Sequence, residues 1–166
     1  LCLNHIGISV GCEDPQQVAQ DVKRMYDAGV RSIRISSTNP GINFIETARA
    51  IRKLCPEDDL RLCAGTIADF KQAEELIKLD IHVNKILIGH GGGENCTSLS
   101  GGGAANSLEL LYLMSIDSHF NNTALGLEGG TGDSFGAILG MVDTISLNRR
   151  GIAGGIETGG LFVQLA

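Results

Sequence analysis

"NKILIGHGGGENCTS", residues 84–98, runs from a short β-rich stretch straight into closely spaced glycines and a single cysteine. The first half reads as a strand and the second as a loop in which glycine allows a positive φ or a close backbone approach. A functional loop after the C-terminal end of a strand is the arrangement by which a parallel α/β barrel collects its active site. The stretch therefore raises a question of architecture before one of chemistry: do other strands of the chain end in the same way?

They do. Outward from this stretch, "HIGISVG", "RSIRISS", "LRLCAGT", "ALGLEGGTGD" and "DTISL" supply five more strand-like runs. Their starts lie roughly 20 to 40 residues apart, as βα units require. Helical patterns fill the intervals and carry start signals. Asp14 precedes Pro15, an N-cap followed by the residue best tolerated at the first helical position, and Val18, Val22 and Met25 make one stripe closed by Gly29. Asn43 and Glu46 have capping-box spacing ahead of Phe44, Ala48, Ile51 and Cys55, with Pro56 as a stop. Asp69 with Gln72 and Asn106 with Glu109 repeat that spacing, and Ser134 is placed to cap a short helix through Val142. Alternating β and α on this scale predicts a parallel sheet, and the polar, glycine-rich strand exits favour a (β/α) TIM-barrel type over an open doubly wound sheet. The expectation is one partial barrel domain over 1–166, with about six of the eight βα units of a closed barrel.

Composition narrows the function classes. The 166 residues carry a net charge of −6, with Lys and Arg scattered, so no electrostatic footprint for nucleic acid or an anionic membrane is present. No apolar run is long enough for a membrane span and no basic leader precedes one, which leads to the expectation of a cytoplasmic protein. Five cysteines, Cys2, Cys12, Cys55, Cys63 and Cys96, form no CxxC pair, against a disulfide framework or a zinc site. Four of them read as small buried apolar residues, and Cys96, inside the glycine loop, as a nucleophile candidate. Glycine numbers 23 and concentrates after position 88.

Arg34 breaks the pattern of its strand, sharing a face with Ser36 while Ile33 and Ile35 share the other. If its face points into the barrel, the guanidinium needs a partner, since an unpaired buried charge costs several kcal/mol. The alternative is a partly wet strand whose arginine reaches solvent.

The order and content of the loops resemble the IMP dehydrogenase and GMP reductase family of β/α barrels. Gly89, Gly91, Gly93, Cys96 and Thr97 match that family's cysteine loop with spacing intact, and Ser98 stands for its last threonine. "AGT" at 64–66 resembles the family's A-G-N, "LEGG" at 127–130 its A-D-G-G, and "IAGGIETGG" at 152–160 the reductase-type loop, which places Glu157 on the reductase's glutamate. The match begins at what would be the third strand of the barrel.

The resemblance implies an NADPH- or NAD-dependent oxidoreductase acting on a purine nucleotide, nearer to GMP reductase than to IMP dehydrogenase. It assigns Cys96 as nucleophile, Ser98 as its helper and Glu157 as proton relay. It assigns Gly93, Glu94, Glu128, Gly129, Gly130, Arg149 and Arg150 to the substrate, and Ser36 and Thr66 to the cofactor. The carbonyls of Gly91, Gly93 and Cys96 would hold a potassium ion, and a homo-oligomer is implied. His90, where the family has an apolar residue, reads as a local hydrogen-bonding histidine.

Departures from the family pattern bear on the substrate. Glu94 replaces a phosphate-binding serine, a repulsive exchange against a dianion. Glu128 replaces an aspartate on ribose hydroxyls, and Ser36 an aspartate near the cofactor. "LNRRG" at 147–151 brings Arg149 and Arg150, which are able to bind phosphate bidentately or to pair with Glu94. Two other readings are a non-catalytic nucleotide-binding or assembly homologue and a barrel enzyme for another anionic metabolite.

Overall fold

The computed structural model describes residues 3, 6–37, 43–56, 59–89, 107–128 and 141–146. Six strands are present among them: β1 (Gly7–Val10), β2 (Ser32–Ile35), β3 (Arg61–Ile67), β4 (Lys85–Ile88), β5 (Ala124–Glu128) and β6 (Thr144–Ser146). The described helices are α1 (Pro15–Asp27), α2 (Phe44–Leu54), α3 (Phe70–Leu76) and α4 (Ser107–Ile116), with a 3₁₀ turn at Ser118–Phe120. Every strand pairs in parallel with the next in the order β1-β2-β3-β4-β5-β6. An order with no reversal is that of a barrel wall, since a doubly wound sheet switches direction partway.

The two faces of the sheet differ in chemistry. Ile33 and Ile35 of β2, Leu62 and Ala64 of β3, Ile86 and Ile88 of β4, and Leu125 and Leu127 of β5 are buried in one core with Ala19 and Val22 of α1, Phe44, Ala48 and Ile51 of α2, Ala73 and Leu76 of α3, and Leu111 and Met114 of α4. Each such Leu or Ile contributes roughly 1.5–3 kcal/mol by leaving water. Alternation turns the intervening residues to the other face. The register aligns Ser9, Arg34, Cys63 and Lys85 there in one row across β1 to β4.

Local signals explain most element boundaries. Asp14 Oδ1 accepts from the amides of Gln16 and Gln17 at 3.1 Å, capping α1 as its sequence predicts. Asp69 Oδ1 does the same for Gln72 N at 3.0 Å at the start of α3. The capping box expected at Asn43 does not form: Asn43 is left-handed (φ 56), and its side chain makes no cap bond. A side-chain cap needs an extended N-cap backbone. Instead the Asn43 amide donates to the Glu13 carbonyl at 3.3 Å, tying the start of α2 to the loop after β1.

The N-terminal ends of the strands are closely bonded. Arg52 at the end of α2 donates to the carbonyls of Leu60, Ile81 and His82 at 3.0, 3.0 and 2.8 Å and to Asn84 Oδ1 at 3.2 Å. That same Asn84 oxygen accepts from Leu62 N at 2.7 Å, linking β3 to the approach of β4. Asp143 repeats the device ahead of β6, accepting from Leu125 N at 2.8 Å. Arg31, ahead of β2, lies 4.0 Å from the Tyr26 ring centroid and bonds Asp59 at 2.7 Å.

Among the described residues no helix is long and apolar enough to cross a membrane.

Candidate functional site at the strand C-termini

Because all strands are parallel, their C-terminal ends share one rim. Ser36 follows β2, Thr66 lies near the end of β3, Gly89 follows β4, and Glu128 ends β5. Pairing between β3 and β4 shifts between Ala64 and Ile67, so Thr66 sits in an irregular stretch. Bulges of this kind re-aim side chains at the mouths of barrels.

Glu128 is held from two sides. Its side chain accepts a hydrogen bond from Arg34 Nη2, and the two groups are 31% and 32% exposed. Its backbone is approached by Gly89, which has a φ of +124°; a Cβ at Gly89 would lie 1.9 Å from the Glu128 carbonyl oxygen. Only glycine tolerates both the dihedral and the approach. The opening glycine of the 89–98 loop thus seats that loop's start on the end of β5.

The Arg34–Glu128 bond also shows how the sheet bends. Strands β3 and β4 separate the two residues, and in a flat sheet three spacings of roughly 4.8 Å would hold them about 14 Å apart. Following the register from Arg34 through Cys63 and Lys85 leads to Ala124, four residues before Glu128. A barrel of eight strands and shear eight advances about one residue per strand, which over three strands brings the neighbourhood of Glu128 level with Arg34. Curl and stagger together put the two charges in contact. Arg34 therefore faces inward and has the partner that this orientation demands.

The rest of the inner row is polar. Cys63 and Lys85 follow Arg34 in register, and among the described residues Lys85 has no carboxylate partner. Cys12 and Cys55 are buried as expected, whereas Cys63 is only partly covered, because its strand position turns it away from the helices. Burial pushes the Cys63 thiol up; Lys85 and Arg34 oppose this and Glu128 adds to it. A thiol so placed is a poor nucleophile near neutrality. Among the described residues, Arg34 Nε is buried without a hydrogen-bond partner.

Of the residues assigned from sequence, Ser36, Thr66 and Glu128 are described, and all three lie at this rim. Ser36 Oγ is 2.9 Å from Ser9 Oγ, and its amide donates to the Val10 carbonyl at 2.9 Å, joining the ends of β1 and β2. Cys96, Ser98, Glu157, Gly91, Gly93, Glu94, Gly129, Gly130, Arg149 and Arg150, with His90, lie outside the described residues, and so does the potassium assignment. No group of three or more metal-ligating side chains occurs among the described residues. The Arg34–Glu128 link was not foreseen in the sequence. The isolated arginine in an apolar strand was its signal, but the partner stands 94 positions away.

The chain is thus an α/β protein of (β/α)-barrel type with its candidate site at the C-terminal rim. No family model matches the sequence, and no curated protein matches it. Among solved structures, GMP reductase from Trypanosoma brucei, in complex with guanosine 5′-triphosphate, matches with a TM-score of 0.66 and 21% identity. The match covers 85% of this chain and 34% of that one, so the chain spans about a third of that enzyme's length. The likeness is one of fold, the fold that the loop resemblance anticipates.

Proposed function

We propose that the protein is a purine-nucleotide oxidoreductase resembling GMP reductase, converting GMP to IMP with NADPH through a cysteine adduct. The observation that carries the reading is the seating of Gly89 against Glu128. The loop that matches the family's cysteine motif starts at the barrel rim, beside the carboxylate that matches the family's ribose ligand. The fold shared with the trypanosomal GMP reductase supports the same reading.

In this reading Cys96 attacks the purine, Ser98 assists it, and Glu157 relays a proton as ammonia leaves. Glu128 accepts from the ribose hydroxyls with Gly129 and Gly130 beside it. Arg149 and Arg150 offset Glu94 at the phosphate. The cofactor supplies hydride when bound, and the hydroxyls of Ser36 and Thr66 present donors and acceptors on its side of the rim. Burial, which pushes the Cys63 thiol up, favours Cys96 over Cys63 for this role.

Calorimetric titration with GMP and IMP, followed by an NADPH oxidation assay, tests the reading. The wild-type chain binds GMP, and Cys96→Ala retains binding while losing turnover. A folded wild-type chain that releases no heat with either nucleotide contradicts the proposal. Binding with turnover unaffected by Cys96→Ala contradicts the role of the cysteine.

A further inference from the structure

Arg34 occupies an expensive position. It stands on the inner face of the sheet, and among the described residues its charged partner is a single carboxylate reached across two intervening strands. One of its nitrogens, Nε, is buried with no acceptor among the described residues. Arg52, by contrast, satisfies its guanidinium with three carbonyls and a side-chain oxygen. An ion pair with this little support is a weak source of stability compared with an apolar residue of similar volume. A fold under selection for stability alone would place a valine or isoleucine at this strand position, as it does at Ile33 and Ile35 on the other face.

The effect of Arg34 on Glu128 gives the residue a use. Its bond goes to one carboxylate oxygen, Oε2, and the other oxygen makes no hydrogen bond among the described residues. Gly89 fixes the backbone beneath the same side chain by its approach to the Glu128 carbonyl. With backbone and one oxygen both fixed, the remaining oxygen is a pre-aimed acceptor at the rim. An ionised carboxylate accepts only, so it favours a ligand group carrying hydroxyl donors and disfavours one that lacks them. A glutamate also has one more rotatable bond than the aspartate that the family resemblance would place here, so orientation by a partner matters more.

We propose that Arg34 is a positioning residue that aims the free oxygen of Glu128 at the vicinal hydroxyls of the ligand's ribose and so sets ribose-over-deoxyribose specificity. The proposal rests on the purine-nucleotide reading above. Arg34 itself touches no ligand. Its removal loosens the carboxylate without deleting it, so the loss appears in discrimination between sugars.

The experiment is a calorimetric titration of the wild-type chain, Arg34→Met and Arg34→Lys with GMP and with 2′-deoxyGMP, folding being checked by circular dichroism. Wild type prefers GMP by about tenfold or more, the scale of one hydrogen bond to a charged acceptor. In Arg34→Met the ratio falls towards one, mainly through weaker GMP binding, and Arg34→Lys restores part of it. If the methionine variant does not fold, Arg34→Gln, which is shorter and removes the charge but keeps a polar group, shows the same fall. A folded Arg34→Met or Arg34→Gln with the wild-type ratio overturns the proposal, and so does a wild type that binds both nucleotides equally. A wild type that binds neither nucleotide overturns the purine-nucleotide reading and this proposal with it, an outcome distinct from the other two.

Discussion

Two arginines, Arg52 and Arg34, mark the two ends of the strands, and they are treated in opposite ways. At the N-terminal end Arg52 gathers carbonyls from two loops and the Asn84 side chain, while Asn84 and Asp143 each bond the amide of a neighbouring strand. At the C-terminal rim Arg34 has, among the described residues, one carboxylate and a buried nitrogen without an acceptor. The first arrangement holds loops together. The second leaves polar capacity unspent where a ligand would arrive. In barrels generally the N-terminal face carries stability and the C-terminal face carries function, and these two side chains differ in hydrogen bonding between the same two ends.

The largest effect is expected at Arg52. Replacing it with methionine leaves several carbonyls without their donor and is expected to cost about 3 kcal/mol. Urea denaturation reads this as a lower midpoint, and nucleotide affinity should stay unchanged under conditions where the variant is folded. A loss of affinity greater than the loss of folded protein would show that the two ends are not separable.

Gly89→Ala has a smaller effect on stability and a larger one on the rim. A methyl group 1.9 Å from the Glu128 carbonyl forces the two strand ends apart, at roughly 2 kcal/mol. Because the shift falls beneath Glu128, weaker GMP binding accompanies the lower melting temperature. Wild-type affinity in this variant would separate the glycine loop's seat from the ligand site.

The smallest effect concerns acid. The Tyr26 hydroxyl, and after it the Arg31 guanidinium, hold the Asp59 carboxyl below the usual carboxylate range. A group depressed in the folded state adds stability above its unfolded value of about 3.9 and loses it as pH falls through the folded value. Wild type should therefore lose stability below pH 4 more steeply than Asp59→Asn, as followed by thermal melts across that range. Parallel melting curves would show that Asp59 contributes nothing to the N-terminal end.

Much of this architecture is legible in the sequence, for physical reasons. Strands β1, β2, β4, β5 and β6 fall within their β-rich runs, and β3 overruns its own by one residue, because each run is short and bounded by turn residues; Asp14 and Asp69 announce their helices because capping is local chemistry. Asn43 misleads because its cap depends on a backbone conformation that contact with Glu13 overrides. Cys63 misleads because face assignment depends on register: the sequence shows an apolar neighbour on either side, and the pairing with Arg34 and Lys85 turns it inward. The rim was readable as a set of strand exits. The Arg34–Glu128 bond was not, because it exists only once the sheet has both curled and staggered.

If the chain binds a purine nucleotide, the ligand should meet it at the strand C-termini. Backbone amide shifts recorded during a GMP titration test it directly. Ser36, Thr66, Gly89 and Glu128 should move while Arg52, Leu62 and Asn84 stay still. Shifts concentrated at Arg52, Leu62 and Asn84, with the four rim residues unmoved, would contradict it.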